Sequence, residues 1–516
     1  MWYAPKNKHP QKGHIIMSRF IIRVLVALVC AAPAWADYTT PNIGMVYSMD
    51  DLVTQSGGAV TGNAGSYQVH ESVILSPNDA LELAPGEQIT FMGTDGDVGL
   101  EVNGRLAALG SEEAPIILTG DAATPGCWRG LDYRNQGPAS GFHLSHVTIA
   151  YAEIAVDVYG GEITLENSDI RHCLKKALDF SQAGGLVSDC HIHHNQQRTI
   201  TITLDSSPTI RRCVLDNNNL ENSSPYPYIN VGLQGNNSPI IEGCTITGDG
   251  NEMSGGMAFW ALSQAQVIDN SISGCGFGIL CYDTGANPLI QGNRIFDNTI
   301  HPDTVNWGFG VACNGNNAPT LVRNQIHGHW YGVAAINGGR PNLGNLDNDD
   351  PGDDGGNRLA DNGINGQLYA FYNNTPLPQM AQGNAWGTDT PADVIWDQAD
   401  NPNLGPVNWD YPILATPAHD TPAADHLARL QAYPNPFNPM VQIKLEMNQP
   451  AVARVVVMDA AGHVVRRLHD GLLPAGATVL PWNGYDSQGR AAASGVYWFR
   501  AETPTGRRTA KAVLVR

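Results

Sequence analysis

The most regular feature of the chain is a short pattern of apolar and polar positions that recurs from residue 144 onward. Each copy has an apolar residue, then Cys, Asn or Ser three positions later, then Ile or Leu two positions after that, and a further polar residue or Cys at its end. The copies are Leu165–Cys173, Val187–Asn195, Ile210–Asn218, Ile241–Asp249, Val267–Cys275, Ile290–Asn298 and Leu321–His329, with a weaker copy at Asn357–Asn362. Their Cys, Asn or Ser positions are 168, 190, 213, 244, 270, 293 and 324, which gives spacings of 22 to 31 residues. This period, with occasional insertions, predicts a solenoid.

Each copy contains two or three short runs rich in β-branched residues, separated by polar corners, and shows no helical apolar period. We therefore expect coils of parallel strands that stack to form their own core, with equivalent residues about 4.8 Å apart in neighbouring coils. One inward column is Cys190, Cys213, Cys244, Asn270, Asn293, Asn324 and Asn357, and a second is Cys173, Asn195, Asn218, Asp249, Cys275, Asn298, His329 and Asn362. Asn suits such corners because its amide can bond backbone groups that would otherwise be buried without a partner.

These repeats resemble those of the right-handed parallel β-helix family, the pectate-lyase-like superfamily. Further segments look like the first coils and the closing segment of exported β-helix proteins: Val73–Gly86, Leu100–Leu106, Pro115–Thr119, Trp128–Leu131, Ala381–Gly387 and Asp397–Pro412. The resemblance implies an all-β chain in which residues 60–413 form a right-handed parallel β-helix solenoid after a lead-in at residues 37–59. It does not assign an activity, because the fold hosts lyases, hydrolases, adhesins and inert spacers.

The first 36 residues have the pattern of a secretory signal peptide. Arg19 and Arg23 precede an apolar run from Val24 to Ala32, and Ala34-Trp35-Ala36 supplies small residues at the cleavage position. Met17 is an alternative start, since the stretch from there to Ala36 already has the right length. The apolar run is too short to span a bilayer. We therefore expect residues 1–36 to be removed and the mature chain to be exported without a transmembrane segment.

A different pattern begins near residue 430, after a linker at residues 414–429 that is rich in Ala, Pro, Asp and His. Short alternating strands with turn residues between them predict a small β-sandwich over residues 430–516. This tail resembles the Ig-like module related to the flagellar hook-capping protein, and is similar to type IX secretion sorting tails. The matching segments are Tyr433–Pro439, Asp459–Gly462, Trp482–Gly484, Ser494–Tyr497 and Lys511–Arg516. The resemblance implies secretion across the outer membrane and attachment to the cell surface; a plain structural Ig-like cap is the alternative.

The signal-like N-terminus, the solenoid body and the C-terminal tail differ in net charge. The chain of 516 residues has a net charge of −20. Residues 1–36 carry five basic groups and no acid, residues 430–516 carry ten basic and five acidic groups, and residues 37–429 carry 14 basic against 44 acidic groups. An acidic body excludes a nucleic-acid partner bound through bulk positive charge. It also opposes an anionic polysaccharide unless calcium intervenes.

Eight cysteines remain after the predicted signal peptide is removed, and most fall in the inward columns. There the expected state is a reduced, small apolar side chain. Cys281 and Cys313 occupy matching places in neighbouring coils, so a disulfide between them is sterically allowed in an exported protein. The sequence leaves the disulfide and the two free thiols as open alternatives.

Candidate chemistry on the outward faces starts with two carboxylates. Asp157 and Asp179 each lie eight residues before the next apolar anchor, so both point outward on neighbouring coils, close to the basic residues Lys175, Lys176 and Arg198. Two such carboxylates could act in catalysis or hold calcium. The alternative is a solvated strand face in an acidic body. Galacturonase motifs and a lyase-type arginine signature are absent from the sequence.

Two further groups of residues are candidate metal ligands. Asp347, Asp349 and Asp353 loosely resemble a calcium loop, although Pro351 and Arg358 stand where that loop has oxygen ligands. The cluster His191-Ile-His-His194 is a possible transition-metal site, but the sequence shows no carboxylate partner for it and favours corner decoration instead. We expect no obligate cofactor, with calcium as the candidate ion.

Aromatic residues gather in one sector of the coils, where the two longest repeats have their insertions. The candidates for stacking on a sugar chain are Tyr228, Trp260, Trp307, Trp330 and Tyr331. Sugar faces stack on rings, and neighbouring Asn and Asp bond the hydroxyls. The alternative is that these rings cover the ends of the inserted loops.

Two classes of function remain after these steps. The first is an exported or cell-surface β-helix protein that serves in adhesion or carbohydrate binding, with a polysaccharide or glycan ligand and with the secretion machinery as partner of its C-terminal domain. The second is a polysaccharide lyase or glycoside hydrolase that uses Asp157 and Asp179. The acidic body favours the first class.

Overall fold

The computed structural model describes residues 37–134, 141–232, 234–413, 427–447, 451–459, 464–474, 476–503 and 506–516. The predicted signal peptide and residues 414–426 of the predicted linker lie outside the described residues.

Short parallel strands form three ladders, named A, B and C in the order in which each coil passes through them. Ladder A contains Tyr38–Thr39, Val73–Leu75, Leu100–Val102, Leu131–Arg134, Ile154–Glu166, Lys176–Ser188, Arg198–Thr203, Tyr226–Val231, Ser254–Phe259, Ile279–Tyr282, Phe309–Asn314, Tyr331–Ile336, Phe371–Asn374 and Ile395–Trp396. Ladder B contains Val46–Tyr47, Ala80–Leu83, Arg105–Leu109, Gly141–Ser145, Thr209–Arg211, Ile240–Glu242, Gln266–Ile268, Leu289–Gln291 and Thr320–Val322, with the second halves of Ile154–Glu166 and Lys176–Ser188. Ladder C contains Ser66–Val69, Gln88–Phe91, Ile116–Gly120, Val147–Ala150, Asp169–Arg171, His191–His193, Val214–Asp216, Thr245–Thr247, Ser271–Ser273, Arg294–Phe296, Gln325–His327 and Arg358–Ala360. The strand Val60–Asn63 pairs with Ser66–Val69 at the start of this ladder and is antiparallel to it.

The remaining elements of the body are short. They are the helix Met49–Gln55, the 3₁₀ turns Pro351–Asp353 and Pro391–Asp393, the hairpin Gly363–Ile364 with Gln367–Leu368, and the pair Gln379–Met380 with Val407–Asn408. The predicted all-β, right-handed parallel β-helix is confirmed.

The core consists of columns of apolar residues that point inward from the three ladders. On ladder C the column is Ile149, Ile170, Ile192, Leu215, Ile246, Ile272, Ile295, Ile326 and Leu359, and each member pairs in register with the next. All of them are fully buried. Because one apolar anchor recurs at the same place in every coil, the sequence repeat is sufficient to position this column.

Asparagines at the corner between ladders B and C form a continuous hydrogen-bonded column. The amide oxygen of Asn293 accepts the backbone N–H of Asn270 at 2.9 Å, and that of Asn324 accepts the N–H of Asn293 at 2.9 Å. The column continues to Asn357 and then to Asn384. The predicted first column is thus present, and each amide supplies a partner to a backbone group that neither ladder satisfies.

The second predicted column differs at one position. Asp249 is exposed and accepts the backbone N–H of Asn217 at 2.9 Å. Its place inside the coil is taken by Tyr228, whose hydroxyl donates to the carbonyl of Thr247 at 2.8 Å and accepts the N–H of Asn218 at 3.1 Å. The strand Tyr226–Val231, which follows the inserted loop, therefore supplies a side chain that the repeat alone does not show.

The predicted lead-in is the first part of the solenoid. Tyr38 pairs with Val73 in ladder A and Val46 pairs with Ala80 in ladder B, so the parallel ladders begin before residue 60. The helix Met49–Gln55 begins at a capping box formed by Ser48 and Asp51, and it buries Met49 and Leu52 against the end of the core.

A buried carboxylate holds this lead-in on the next coil. Asp79 is fully buried and accepts the backbone N–H groups of residues 42, 43, 44 and 45 at 2.8 to 3.1 Å. Burial alone would raise the pKa of Asp79, but the hydrogen bonds from Thr40 and from the backbone of Met45, Asn42 and Gly44 outweigh it and hold the pKa below its usual range.

The C-terminal residues form a two-sheet sandwich, as predicted. One sheet contains Leu427–Tyr433, Val441–Met447 and Gly476–Trp482, and the other contains Val464–Leu473, Ala451–Met458, Gly495–Thr503 and Gly506–Leu514. Its first strand starts at residue 427, inside the predicted linker. Phe437 of the Tyr433–Pro439 segment is buried against Trp482, and Asn435 bonds the backbone of Lys511 and Val513 in the last strand.

Among the described residues, no helix is long and apolar enough to cross a membrane.

Candidate functional site

The outward face of ladder A carries three rows of side chains between residues 277 and 396. Parallel pairing in register places equivalent residues of successive coils side by side, so each row runs along the solenoid axis. The first row is Phe277, Phe309, Tyr331 and Tyr369, the middle row is Leu280, Ala312, Ala334, Tyr372 and Trp396, and the third row is Tyr282, Asn314, Ile336 and Asn374. Inward residues alternate with the outward residues of these rows, so the same strands carry both the outward face and the core.

A groove of about 350 Å³ lies on these rows. Leu280 and Ala312 of the middle row have smaller side chains than the rings beside them, which leaves a depression between the aromatic first row and the third row. Amides line the other side, at Asn314, Asn337 and Asn374. None of the described residues that line this groove carries a formal charge.

Rings of the first and middle rows form a nearly continuous aromatic surface. Phe309 stacks on Tyr331 with ring centroids 5.2 Å apart, and Tyr331 contacts Tyr372 at 5.0 Å. The contacts continue from Tyr372 to Trp396 at 6.4 Å. Burial first, and then the neighbouring tyrosines, raise the pKa of both Tyr331 and Tyr372, so both hydroxyls stay protonated at neutral pH and can donate hydrogen bonds.

The inserted loop at residues 299–307 forms a wall of the groove. Asp303 shapes this loop by accepting the backbone N–H groups of Val305 and Asn306. Trp307 stacks on His301 with centroids 4.2 Å apart and planes 9° apart, and it is only 5% exposed. Trp307 therefore supports the wall more than it offers a free ring face.

The aromatic residues predicted from the sequence occupy different places in the structure. Tyr331 and Trp307 line the groove. Trp260 lies beside it, donates to Asn230 at 2.7 Å and packs on Tyr282. Trp330 is half-buried and packs closely against Gly308. A Cβ atom added at Gly308 would lie only 2.1 Å from the ring of Trp330.

The prediction for Tyr228 does not hold, because its side chain is 1% exposed and points into the coil. Phe309, Tyr369, Tyr372 and Trp396 are further aromatic residues of this face that were not predicted from the sequence. Their alternation with inward residues was a usable signal, but the coil that carries Tyr369 and Tyr372 has only the weak repeat copy that ends at Asn362.

The two predicted carboxylates lie in a separate part of ladder A. Asp132, Asp157 and Asp179 pair in register on three successive strands and point outward. Arg134 contacts Asp132 at 2.6 Å and Asp157 at 3.0 Å, and Lys176 bonds Asp179. Burial raises the pKa of Asp179 and of Asp132, although the neighbouring cations oppose this. The row is a compact ion-pair network in which cations already compensate each carboxylate.

The three aspartates proposed for calcium do not converge on one point in the described chain. Asp347 accepts from Gln382 at 3.2 Å, whereas Asp353 accepts from Asn342 at 2.7 Å and from Asn348. Asp347 and Asp353 therefore bond amides of different segments of the chain.

The two cysteines considered for a disulfide pair in register on adjacent strands of ladder A. The structure holds both as buried free thiols in the inward stack. Burial and a hydrogen bond with Cys281 raise the pKa of the Cys313 thiol. The disulfide alternative is thus not present in the structure.

Comparison with known families agrees with this architecture. The family model for the right-handed β-helix region matches residues 135–246 and 211–347. The family model for the FlgD Ig-like domain matches residues 438–507. No curated protein matches the chain.

Several solved structures are similar to parts of the chain. PorZ, an essential bacterial surface component of the type-IX secretion system of Porphyromonas gingivalis, is 20% identical with a TM-score of 0.14; the match covers 19% of this chain and 12% of that one. A mutant of the periplasmic alginate epimerase AlgG is 12% identical over 72% of this chain and 82% of that one, with a TM-score of 0.24. Pectate lyase Pel9A is 14% identical over 66% of this chain and 71% of that one, with a TM-score of 0.24.

The strand register of residues 38–396 agrees with the two family matches on the architecture of the chain. The chain is a right-handed parallel β-helix protein with a C-terminal FlgD Ig-like domain.

Proposed function

We propose that the protein binds an uncharged glycan chain in the groove on ladder A. The observation that carries this proposal is the arrangement of aromatic rings along one side of the groove and Asn amides along the other. Pyranose rings present apolar faces that pack on aromatic side chains and hydroxyls that bond amides. A groove without charged lining residues suits a neutral sugar better than a uronic acid polymer.

The packing of the strands beneath the groove supports ligand binding. Its rings stand on strands whose inward residues are fully buried, so little conformational entropy is lost when a ligand is bound. The in-register carboxylates Asp132, Asp157 and Asp179 lie on other strands of ladder A and do not line the groove. We therefore assign recognition to the groove.

A glycan array probed with the chain from residue 37 to 516 tests this proposal. The variant with Tyr331→Ala and Tyr372→Ala should bind at least about tenfold more weakly, because two stacking surfaces are lost. Tyr159→Ala is the matched control, since Tyr159 also lies on ladder A but away from the groove and is 48% exposed. Absence of glycan binding by the intact chain, or equal losses in both variants, would contradict the proposal.

We also propose that the protein is exported and displayed on the cell surface or secreted. The support is the signal-like pattern of residues 1–36, the similarity of the tail to sorting modules, and the match of residues 438–507 to an FlgD Ig-like domain. Truncation after Ile413 removes the whole sandwich and should leave the protein in the periplasm. Unchanged surface display of the truncated chain would show that the sandwich is a structural cap.

A polysaccharide lyase or hydrolase activity is the second candidate. It is favoured by one observation, the three in-register carboxylates with Arg134 and Lys176 beside them. Incubation with a polysaccharide panel, with and without calcium, should then release unsaturated or reducing ends. Asp179→Asn should abolish that release and Asp121→Asn, at an exposed site, should not. A panel without any products would rule out this candidate for the sugars tested.

A further inference from the structure

Four histidines and two aspartates from three successive coils meet on the outer face of ladder C. Asp169 pairs in register with His191, and His193 pairs with Asp216 of the following coil. His172 and His194 occupy equivalent corner positions of two coils, with φ angles of 57° and 56°. The sequence hypothesis of corner decoration depended on the lack of a carboxylate partner, and the structure supplies two of them from neighbouring coils.

The two ring nitrogens of His193 have different neighbours. Nε2 of His193 lies 3.2 Å from Oδ2 of Asp169, and Nδ1 of His193 lies 2.6 Å from Nδ1 of His194. A carboxylate that accepts from Nε2–H leaves the lone pair of Nδ1 exposed toward His194. Two imidazole nitrogens that face each other need a proton or a cation between them.

Neighbouring side chains hold both carboxylates in place. Oδ1 of Asp169 accepts from Arg171 at 2.6 Å. Oδ2 of Asp216 lies 3.0 Å from Nε2 of His191. Oxygen and nitrogen donors of His193, His194 and Asp216 all lie within 4.8 Å of one another.

We propose that His193, His194 and Asp216 bind one divalent transition-metal ion, with Zn²⁺ as the reference ion. Two imidazoles and one carboxylate form a donor set that suits zinc, copper or nickel and does not suit calcium. Asp169 is a positioning residue, because it orients His193 through the far ring nitrogen, as carboxylates do in many metal sites. The side chain of His193 is 13% exposed and that of Asp216 25% exposed, so solvent can reach the ion and complete its coordination.

The site is independent of the proposed glycan groove, since it lies on another ladder and on earlier coils. Each can therefore be tested without the other. A bound ion would join two successive coils, His191–His193 and Val214–Asp216, at their outer edge. We thus expect zinc to stabilise the protein as well as bind to it.

Calorimetric titration of Zn²⁺ into the chelator-treated chain from residue 37 to 516 tests the proposal. The expected result is one ion per chain with a micromolar or tighter Kd, and no comparable binding of Ca²⁺. The double variant His193→Gln with His194→Gln should lose at least about 100-fold in affinity. His143→Gln is the matched control, because His143 also lies beside a carboxylate, Glu166 at 3.5 Å, on ladder B.

Further measurements separate metal binding from a structural role of the cluster. Asp169→Asn should weaken zinc binding about 10- to 100-fold while the circular dichroism spectrum stays unchanged. Substitution by Co²⁺ should give a visible absorption spectrum typical of nitrogen and oxygen ligands, and the double variant should lose it. Zinc binding that is absent, or equal in the double variant and in the His143 control, would show that His193 and His194 share only a proton.

Discussion

At the later corners between ladders B and C, from Cys244 to Asn357, a backbone N–H is buried where neither ladder offers it an acceptor. An asparagine amide from the next coil supplies that acceptor. The NH₂ group of that asparagine donates to a carbonyl further back. Asn293 shows both roles: its oxygen accepts from the N–H and the amide of Asn270, and its nitrogen donates to the carbonyl of Val267 at 2.8 Å. A buried group left without its partner costs about 1–3 kcal/mol.

We expect Asn293→Ala to lower the free energy of unfolding of the β-helix by about 3 kcal/mol, since at least two buried groups lose their partners. Denaturant unfolding followed by circular dichroism measures this loss. Asn316→Ala is the control, because Asn316 is an exposed asparagine of a neighbouring corner. If both variants lost the same small amount, the asparagine column would not be a source of stability.

His329 occupies the second corner column, where other coils carry asparagine. Its Nδ1 lies 3.1 Å from the amide oxygen of Asn362, and burial lowers its pKa to about 3. In the unfolded chain the same ring has a pKa near 6.5. Below about pH 6.5 the unfolded state therefore binds a proton that the folded state cannot hold, and the stability contributed by the neutral ring falls as the pH approaches 3.

We expect His329→Asn to make the stability of the protein less dependent on pH. Between pH 6.5 and pH 4.5 the wild-type chain should lose up to about 1.4 kcal/mol per pH unit more than the variant. Urea unfolding at several pH values, with exposed His143→Asn as the control, measures the difference. Parallel pH profiles of the wild type and His329→Asn would mean that this ring is protonated in the folded protein.

The lead-in illustrates how one side chain organises an element. Residues 42–45 form no regular strand, yet four of their backbone N–H groups converge on the buried carboxylate of Asp79. The helix that follows covers the open end of the core. Loss of the carboxylate should free the loop and uncover Met49 and Leu52.

Asp79→Ala is expected to cost about 3 kcal/mol, because several buried N–H groups lose a charged acceptor. Hydrogen exchange should be fastest to respond, with amides 42–45 losing protection while the amides of the later coils keep theirs. Asp121→Ala, at an exposed site, serves as the control. Unchanged protection at residues 42–45 would show that pairing of Tyr38 and Val46 in the ladders is enough to hold the lead-in.

The elements that the sequence predicts well are those that repeat. Ile192 and Ile246 are assigned inward because the same apolar position returns in every coil, and the corner asparagines follow from it. Tyr228 is predicted to stack on a sugar although it lies in the core, and Tyr372 is not predicted at all, because each belongs to a coil whose length departs from the period. In those coils the inserted residues change which side chains point inward or outward, and only the register of the ladders reveals their direction.

Only some residues of the groove can be predicted from the sequence, for the same reason. Tyr331 follows a clear repeat copy and was placed correctly, whereas its partner Tyr372 lies in ladder A opposite Ala334, across a long loop. The histidine cluster shows the complementary case. Asp169 and Asp216 are 24 and 25 residues from their histidine partners, so no local motif connects them.

At the scale of the whole molecule, the buried residues that the structure describes form two large apolar clusters, apart from the small group Phe309, Ala312 and Ala334 beneath the groove. One extends from Tyr47 to Val407 and belongs to the solenoid, and the other extends from Phe437 to Leu514 and belongs to the sandwich. Coils of a solenoid interact mainly with their neighbours, so its stability does not need a distant module. The acidic charge of the body and the basic charge of the tail follow the same division.

We therefore expect residues 37–413 to fold without the sandwich. The truncated chain should keep its β-sheet circular dichroism spectrum and unfold at the same denaturant midpoint as the solenoid transition of residues 37–516, because the apolar cluster of the solenoid is complete. The longer chain should show a second transition, which is the unfolding of the sandwich. Phe437→Ala should lower the free energy of unfolding of the sandwich by about 3 kcal/mol and shift this transition to lower denaturant, while the solenoid transition stays in place. A single transition that Phe437→Ala moves as a whole would instead mean that the two modules stabilise each other, and the charge division would then reflect an interface between them.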